Sequence, residues 1–341
     1  MPATRTDARR MTANPPWLSV LVPVYDVEAY LDACLQSVLA QAGGGVEVIL
    51  LDDASPDGSA RVAAEWRERH PHAVRVVSLP RNAGVASARN ALLAEATGRY
   101  VWFLDADDLM LPGAIDALRT LVQRHAPDLV LCDFRVLRES GRPYDPLRGG
   151  WRRASFSGRH DVLSGDRSAL VAGLLEERQL HAWSKIATAA AWREVRFPDG
   201  HYFEDMAVVP QLVANIRTWY YTRQPWVGYR QRGGSILAEM TPRKAGDMLL
   251  AVQALHAGLL GLPGELSARA RSALDYFCLR TFATLARKAP HPDDALERDC
   301  RAALQRMFPD GVASLLGDAR RRGWWLRARR ASQALRARGW A

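Results

Sequence analysis

Several features that mark common protein classes are missing from this 341-residue sequence. Its four cysteines, Cys34, Cys132, Cys278 and Cys300, are widely scattered and form no Cys-x-x-Cys pair and no spaced metal set. A disulfide scaffold is therefore not expected, and buried thiols in a reducing compartment are. No apolar run reaches the roughly 18–20 residues of a membrane span. The best candidate, 248–262, is too short and is interrupted by Gln253 and His256. The first residues include Arg5, Arg9 and Arg10 but no apolar h-region, so a signal peptide is not expected and the chain reads as cytoplasmic. No G-x-G-x-x-G follows the first apolar run, and no G-x-x-x-x-G-K-[ST] occurs, so a dinucleotide dehydrogenase and a P-loop phosphotransferase lose ground. Gly43-Gly44-Gly45 precedes an apolar run instead of opening a helix and reads as a turn.

Charge is also unevenly spread. Of the formal net charge of +9, most lies in the last stretch, where eight arginines between 318 and 341 face a single aspartate, Asp318. The remainder is nearly neutral. That distribution indicates a basic tail and not a nucleic-acid-binding body.

What is present is strand–helix alternation. Short apolar runs at 18–24, 46–51, 74–79, 99–104 and 129–134 read as strands, separated by helical periodicity at 28–41, 59–69, from 82 onward and at 113–125. Such alternation with short connections predicts an α/β fold with an open, mostly parallel sheet flanked by helices. Ligands then bind outside the carboxyl ends of the strands. Tyr25, Asp52 and Asp53, Asn82, and Asp105 with Asp107 stand at those ends. The run Tyr100-Val101-Trp102-Phe103-Leu104-Asp105-Ala106-Asp107-Asp108 ends in three carboxylates. If the strand continues through them, Asp105 and Asp107 project to the same side, where a hard cation would relieve their repulsion. An ordinary acidic turn is the competing reading.

Four blocks now stand in order: Val22-Pro23-Val24-Tyr25; Leu51-Asp52-Asp53-Ala54-Ser55-Pro56-Asp57-Gly58-Ser59; Asn82-Ala83-Gly84 with Ala88-Arg89-Asn90; and Leu104-Asp105-Ala106-Asp107-Asp108. Together they resemble glycosyltransferase family 2, with its GT-A fold, over roughly residues 17–235. The resemblance implies a nucleotide-sugar donor, usually a UDP-sugar, and a divalent metal, Mn²⁺ or Mg²⁺. It implies that Tyr25 packs on the base, that Asp53 accepts a hydrogen bond from it, and that Arg89 lies near the nucleotide. Asp105 would reach the ribose and Asp107 would bind the metal with the diphosphate. Pro23, Asn82 and Ala106 are carried into the same donor-binding set. Asp108 is left between supporting Asp107 and capping the next helix.

A second set, His181-Ala182-Trp183-Ser184-Lys185, Arg196-Phe197-Pro198 and Tyr202-Phe203-Glu204-Asp205, is similar to the acceptor half of that family. There the Asp of a Glu-Asp pair is the catalytic base. An inverting transfer needs a carboxylate to take the acceptor proton on the face away from the leaving group, so Asp205 is assigned that role, with Glu204 beside it on the acceptor side. Trp183 is expected against the acceptor sugar and Lys185 near the donor diphosphate. Within Tyr229-Arg230-Gln231-Arg232-Gly233-Gly234-Ser235, Arg232 and Ser235 are expected to reach the diphosphate from a loop. The Gln-x-x-Arg-Trp form of processive synthases is missing, which favours one sugar per encounter.

The expected organisation is a leader at 1–16, a catalytic domain at 17–240 with a nucleotide-sugar half (17–135) and an acceptor half (136–240), a helical extension at 241–317, and a basic Trp/Arg-rich tail at 318–341. Arginines interleaved with Trp324, Trp325 and Trp340 suit an interfacial helix on anionic lipid. The expected protein is thus an inverting transferase acting in surface polysaccharide or glycolipid synthesis, peripheral on the inner face of the cytoplasmic membrane. Two other classes stay open: a nucleotidyltransferase acting on sugar phosphates, and a non-catalytic nucleotide-sugar-binding module.

Overall fold

The computed structural model describes residues 15–139, 152–231, 239–289 and 294–340. All but the last two residues of the expected leader lie outside that range. The first half alternates as its sequence predicts: β1 (Leu18–Val24), α1 (Glu28–Leu39), β2 (Val46–Asp52), α2 (Ser59–Arg69), β3 (Val74–Ser78), α3 (Val85–Glu95) and β4 (Tyr100–Phe103). A short β5 (Leu109–Met110), α4 (Ala114–His125) and β6 (Leu129–Leu137) follow. Beyond them come β7 (Arg152–Arg153), β8 (Leu163–Ser164), α5 (Arg167–Glu177), β9 (Lys185–Thr188), α6 (Ala189–Trp192), α7 (Glu204–Ala214) and β10 (Trp219–Arg230). Five helices end the chain: α8 (Pro242–Leu260), α9 (Ala268–Lys288), α10 (Asp294–Met307), α11 (Gly311–Arg321) and α12 (Trp325–Ala337).

The strands form one sheet in the order β3-β2-β1-β4-β9-β6-β10-β5, with β7 beside β6 and β8 beside β10. β3, β2, β1 and β4 are parallel, as are β6 and β10. β9 runs antiparallel between β4 and β6. The sheet is therefore mixed, and the antiparallel insertion was not predicted. β9 offers only Lys-Ile-Ala-Thr as a pattern, too short to distinguish from a loop. β10 carries Pro225, and its register with β6 shifts on either side of that residue. Proline cannot donate to the ladder and is accommodated at such an irregularity.

β1 shows why both faces are covered. Leu18, Val20 and Val22 pack with Leu31, Leu35, Val62 and Leu118 of α1, α2 and α4. Leu21 packs in the opposite layer with Leu92 of α3, Leu170 of α5 and Val208 of α7. Alternate side chains on a strand face opposite ways, so an apolar residue at every position needs a layer on each side. The C-terminal helices belong to the second layer: Leu255, Leu274 and Leu335 share one continuous core with Leu21 and Phe103.

The stretch expected as a basic tail is thus two packed helices. Ala328, Ala331 and Leu335 of α12 are buried at helical spacing against α9. Trp324 packs against Tyr276 with ring centroids 4.8 Å apart and the planes tilted by 49°, and Trp340 is buried, its indole N–H bonded to Glu297. Two of its three tryptophans are therefore occupied by packing, not presented on an interfacial helix.

Candidate active site

β2, β1 and β4 lie side by side and end at the same edge of the sheet, β1 and β2 level at Val24 and Asp52 and β4 three residues earlier, with Leu21 opposite Phe103. Tyr25 follows β1 and is 45% exposed, open to a flat partner; Pro23 is half-buried beneath it. Asp53 has a more committed place than expected. It is buried, and its Oδ1 and Oδ2 accept the backbone N–H groups of Ala83 (2.7 Å) and Gly84 (2.8 Å). Gly84 has φ of 86°, a conformation glycine adopts without cost. Asp53 thus fixes the loop that presents exposed Asn82 and opens α3. Only its remaining lone pairs are left for a base N–H.

The acidic tip is not a strand. The last ladder bond is from Leu104 N–H to Leu21 C=O (2.9 Å), and Asp108 N–H then closes a turn onto Asp105 C=O (2.9 Å). The same-side argument for Asp105 and Asp107 therefore does not apply; both stand in one turn, where each acts on Asp108. Both are half-buried, while Ala106 and Asp108 are buried. Asp108 neither supports Asp107 directly nor caps a helix. Its Oδ1 accepts the backbone N–H of Arg230 (2.7 Å), and Arg230 Nε donates to Asp107 C=O (2.7 Å). Arg230 therefore ties the end of β10 to the acidic turn. No local pattern distinguishes it from Arg232, and the sequence reading passed over it.

Arg89 is the hub of the site. It is 3% exposed, on the inner side of α3. Nη1 donates to Glu204 Oε1 (2.6 Å) and Asp205 Oδ1 (2.7 Å), and Nη2 to Asp105 Oδ1 (3.1 Å). Burial works against its charge, but Asp205, Asp105 and Glu204 outweigh it and hold its pKa above the ordinary value. Asp105 at the strand end and the Glu-Asp pair are thereby brought to one guanidinium. The next residue, Asn90, pairs with the backbone of Phe197 in both directions (2.8 and 2.9 Å). That docks the 197–205 segment on α3. Asp247 of α8 holds the same segment from the other side, bonded to His201 Nδ1 (2.7 Å) and Tyr202 N–H (3.0 Å). Burial, then the charge of Asp205, raises the Glu204 pKa to about 7.

The 181–185 segment is placed differently from expectation. Trp183 is 1% exposed and cannot offer a face to a sugar in this arrangement. It forms a wall, stacked on His181 (5.0 Å, 8°) and Tyr229 (5.8 Å, 22°). Lys185 is also buried, its Nζ donating to His181 C=O (2.7 Å), Gln179 C=O (3.2 Å) and Ser184 Oγ (3.3 Å). With no carboxylate in direct contact, burial lowers its pKa to about 7. The side chain that reaches the site is half-buried His181, which feels the charges of Asp205 and Asp105 while burial lowers its pKa. Arg232 and Ser235 lie outside the described residues.

Among the described residues no three His, Cys, Asp or Glu side chains are arranged to cage a metal. The donor set still suits a hard dication of the magnesium or manganese kind, which takes one or two carboxylates and completes its shell with phosphate oxygens and water. One atom bears on this. Asp108 Oδ2 is buried without a hydrogen-bond partner, and burial followed by the charges of Asp105 and Asp107 pushes that carboxyl well up. A positive charge beside Asp105 and Asp107 would relieve the repulsion.

Residues 19–171 match the family model described as Glycosyl transferase family 2. Glycosyltransferase GlyA of Streptococcus pneumoniae serotype 4 is 27% identical over 226 residues, 64% of this chain and 31% of that protein. Minor teichoic acid biosynthesis protein GgaB of Bacillus subtilis is 26% identical over 231 residues, 66% of this chain and 24% of that protein. The chain thus spans about a third or less of the length of these two relatives. In fold it is similar to the crystal structure of S. aureus TarS 1-349 in complex with UDP-GlcNAc, with a TM-score of 0.69 at 20% identity, covering 94% of this chain and 91% of that one.

Proposed function

Because the chain belongs to glycosyltransferase family 2, we propose that it is an inverting, metal-dependent enzyme that transfers a sugar from a UDP-sugar to a hydroxyl of a saccharide or lipid-linked acceptor. Its product would enter a surface polysaccharide or glycolipid, assembled at the inner face of the cytoplasmic membrane. The choice of donor is supported by Asp53, whose carboxylate is acceptor-only and suits a uracil N–H, and by the UDP-GlcNAc in the TarS structure. The choice of product is supported by the teichoic acid role in the name of GgaB.

The observation that carries the reading is the convergence on Arg89. One guanidinium holds Asp105, at the end where a nucleotide would lie, and Asp205, on the segment assigned to the acceptor. Tyr25 and Asn82 would seat the base and ribose beside Asp105. Asp107, with Asp105, would hold the dication, which when bound neutralises charge on the departing diphosphate. Asp205 would take the proton of the attacking hydroxyl. Its Oδ1 is engaged by Arg89, so Oδ2 is the oxygen for that proton. Glu204, with its pKa raised to about 7, has the basicity such a step needs, but its side chain is more deeply buried than that of Asp205, which leaves Asp205 the more accessible of the two.

Asp205→Asn is expected to lower transfer by roughly 10²–10⁴-fold while UDP-sugar binding, followed calorimetrically with Mn²⁺, persists. Asp107→Ala should instead abolish the Mn²⁺-dependent part of that binding. Near-native turnover by Asp205→Asn would overturn the assignment of the base.

A further inference from the structure

Trp325 and Leu326 open α12 and are 65% and 71% exposed, the two most exposed large apolar side chains among the described residues. They stand side by side at a helix start, and their surroundings are strongly basic. Arg327, Arg329, Arg330 and Arg336 of α12 are exposed, as are Arg320 and Arg321 of α11. Among the described residues, the ion pair within α11 and α12 is that of Arg321 with Asp318; Arg338, just past α12, pairs with Glu297. The other exposed arginines of these helices make no ion pair among the described residues, although Glu177 lies near Arg178 and Arg327.

The face extends beyond these helices. Arg280 of α9 and Arg327 both lie close enough to Arg178, at the end of α5, for their charges to oppose its own, with Glu177 acting the other way; α5 and α12 both pack on α9. Such an assembly of guanidiniums is unfavourable alone and is relieved by an anionic surface. Leu326, Arg330 and Gln333 fall on one exposed stripe of α12, opposite buried Ala328, Ala331 and Leu335. Leu326 and Arg330 therefore point out together, with Trp325 and Arg327 exposed on either flank of that stripe.

We propose that this face docks on an anionic lipid bilayer, with Trp325 and Leu326 entering the interface and the arginines engaging lipid phosphates. The inference rests on the transferase reading for its purpose and not for its chemistry. An aromatic–aliphatic pair ringed by arginine matches a membrane surface, where indole rings settle at headgroup depth and each nearby basic residue adds attraction. No described helix is long and apolar enough to cross a membrane, so the contact is peripheral. The face also lies close to the acceptor side. Arg178 is three residues from His181, so their Cα atoms are no more than about 11 Å apart. A lipid-anchored acceptor would enter past His181 from the surface on which the protein sits.

The test is co-sedimentation of the full chain with vesicles of phosphatidylcholine containing 0 or 40 mol% phosphatidylglycerol, with a parallel titration of an RNA homopolymer. Binding is expected only with the anionic lipid and should weaken with salt. Arg327→Ala/Arg330→Ala should lower the partition coefficient roughly fivefold per arginine. Trp325→Ser/Leu326→Ser should lower it about tenfold and leave transfer to a soluble acceptor unchanged. Equal sedimentation on both vesicles would overturn the proposal. So would an unaffected Trp325→Ser/Leu326→Ser variant, or RNA binding tighter than vesicle binding. The vesicle assay needs no sugar, so the docking face and the transferase reading fail separately.

Discussion

The two ends of the site, assigned to donor and acceptor in the reading proposed above, are built on opposite plans. At the donor end, short contiguous blocks at the tips of β1, β2 and β4 leave Tyr25 and Asn82 exposed and Asp105 and Asp107 half-buried. At the acceptor end, Trp183, Lys185 and Glu204 are buried and committed to other protein groups. The donor end is shaped by parallel strands that would end together with or without a substrate. The acceptor end exists only because residues about a hundred positions apart hold one another. The donor end should therefore tolerate loss of single side chains structurally, whereas the acceptor end should not.

Replacing the shared guanidinium gives the largest effect. Arg89→Met leaves Asp105, Glu204 and Asp205 without their common partner, and breaking a buried ion pair this way costs about 3–5 kcal/mol. Denaturant unfolding should show that loss, and transfer should vanish with it. A variant as stable as the parent would mean that the two ends are not coupled through Arg89.

Asn90→Ala removes the paired bonds to Phe197 but leaves every charged group in place. A loss of roughly 1–3 kcal/mol is expected, with acceptor KM raised and UDP-sugar affinity unaltered. Equal damage to donor binding would erase the distinction between the ends.

A third effect is a slope with pH and not a fixed loss. The Lys185 pKa is lowered to about 7 in the fold from an unfolded value near 10.5. Its contribution is therefore fully present above the unfolded value and lost as pH falls through the folded one. Between pH 10 and 7 the parent should lose stability relative to Lys185→Met, measured as a growing difference in Tm. Parallel Tm curves would show that the ammonium is not desolvated.

This contrast also explains what the sequence made legible. The four blocks located the strand ends because a buried parallel strand is a continuous apolar run and its loop residues follow at once. Arg89 was expected beside the nucleotide; that it binds Glu204, 115 residues away, is written in no local period. Trp183 and Lys185 were assigned by residue type, but burial depends on β9 slotting between β4 and β6, and a four-residue strand carries little pattern. In the last stretch the eye falls on arginine and tryptophan. The Ala328, Ala331 and Leu335 spacing already described a buried helix stripe, and it decided which tryptophans stayed outside.

Asp247 has a consequence for the order in which the enzyme comes into being. β1 to β4 can pair as soon as they have left the ribosome and the acidic turn is tied once Arg230 of β10 follows, whereas the clamp on His201 and Tyr202 waits for α8. At roughly 5–20 residues per second, a nascent chain would hold a formed nucleotide pocket for seconds before its catalytic segment is secured. Chains stalled near residue 240 should then protect the 18–104 region from protease and be cut between 197 and 205; protection of both would show that the clamp is dispensable.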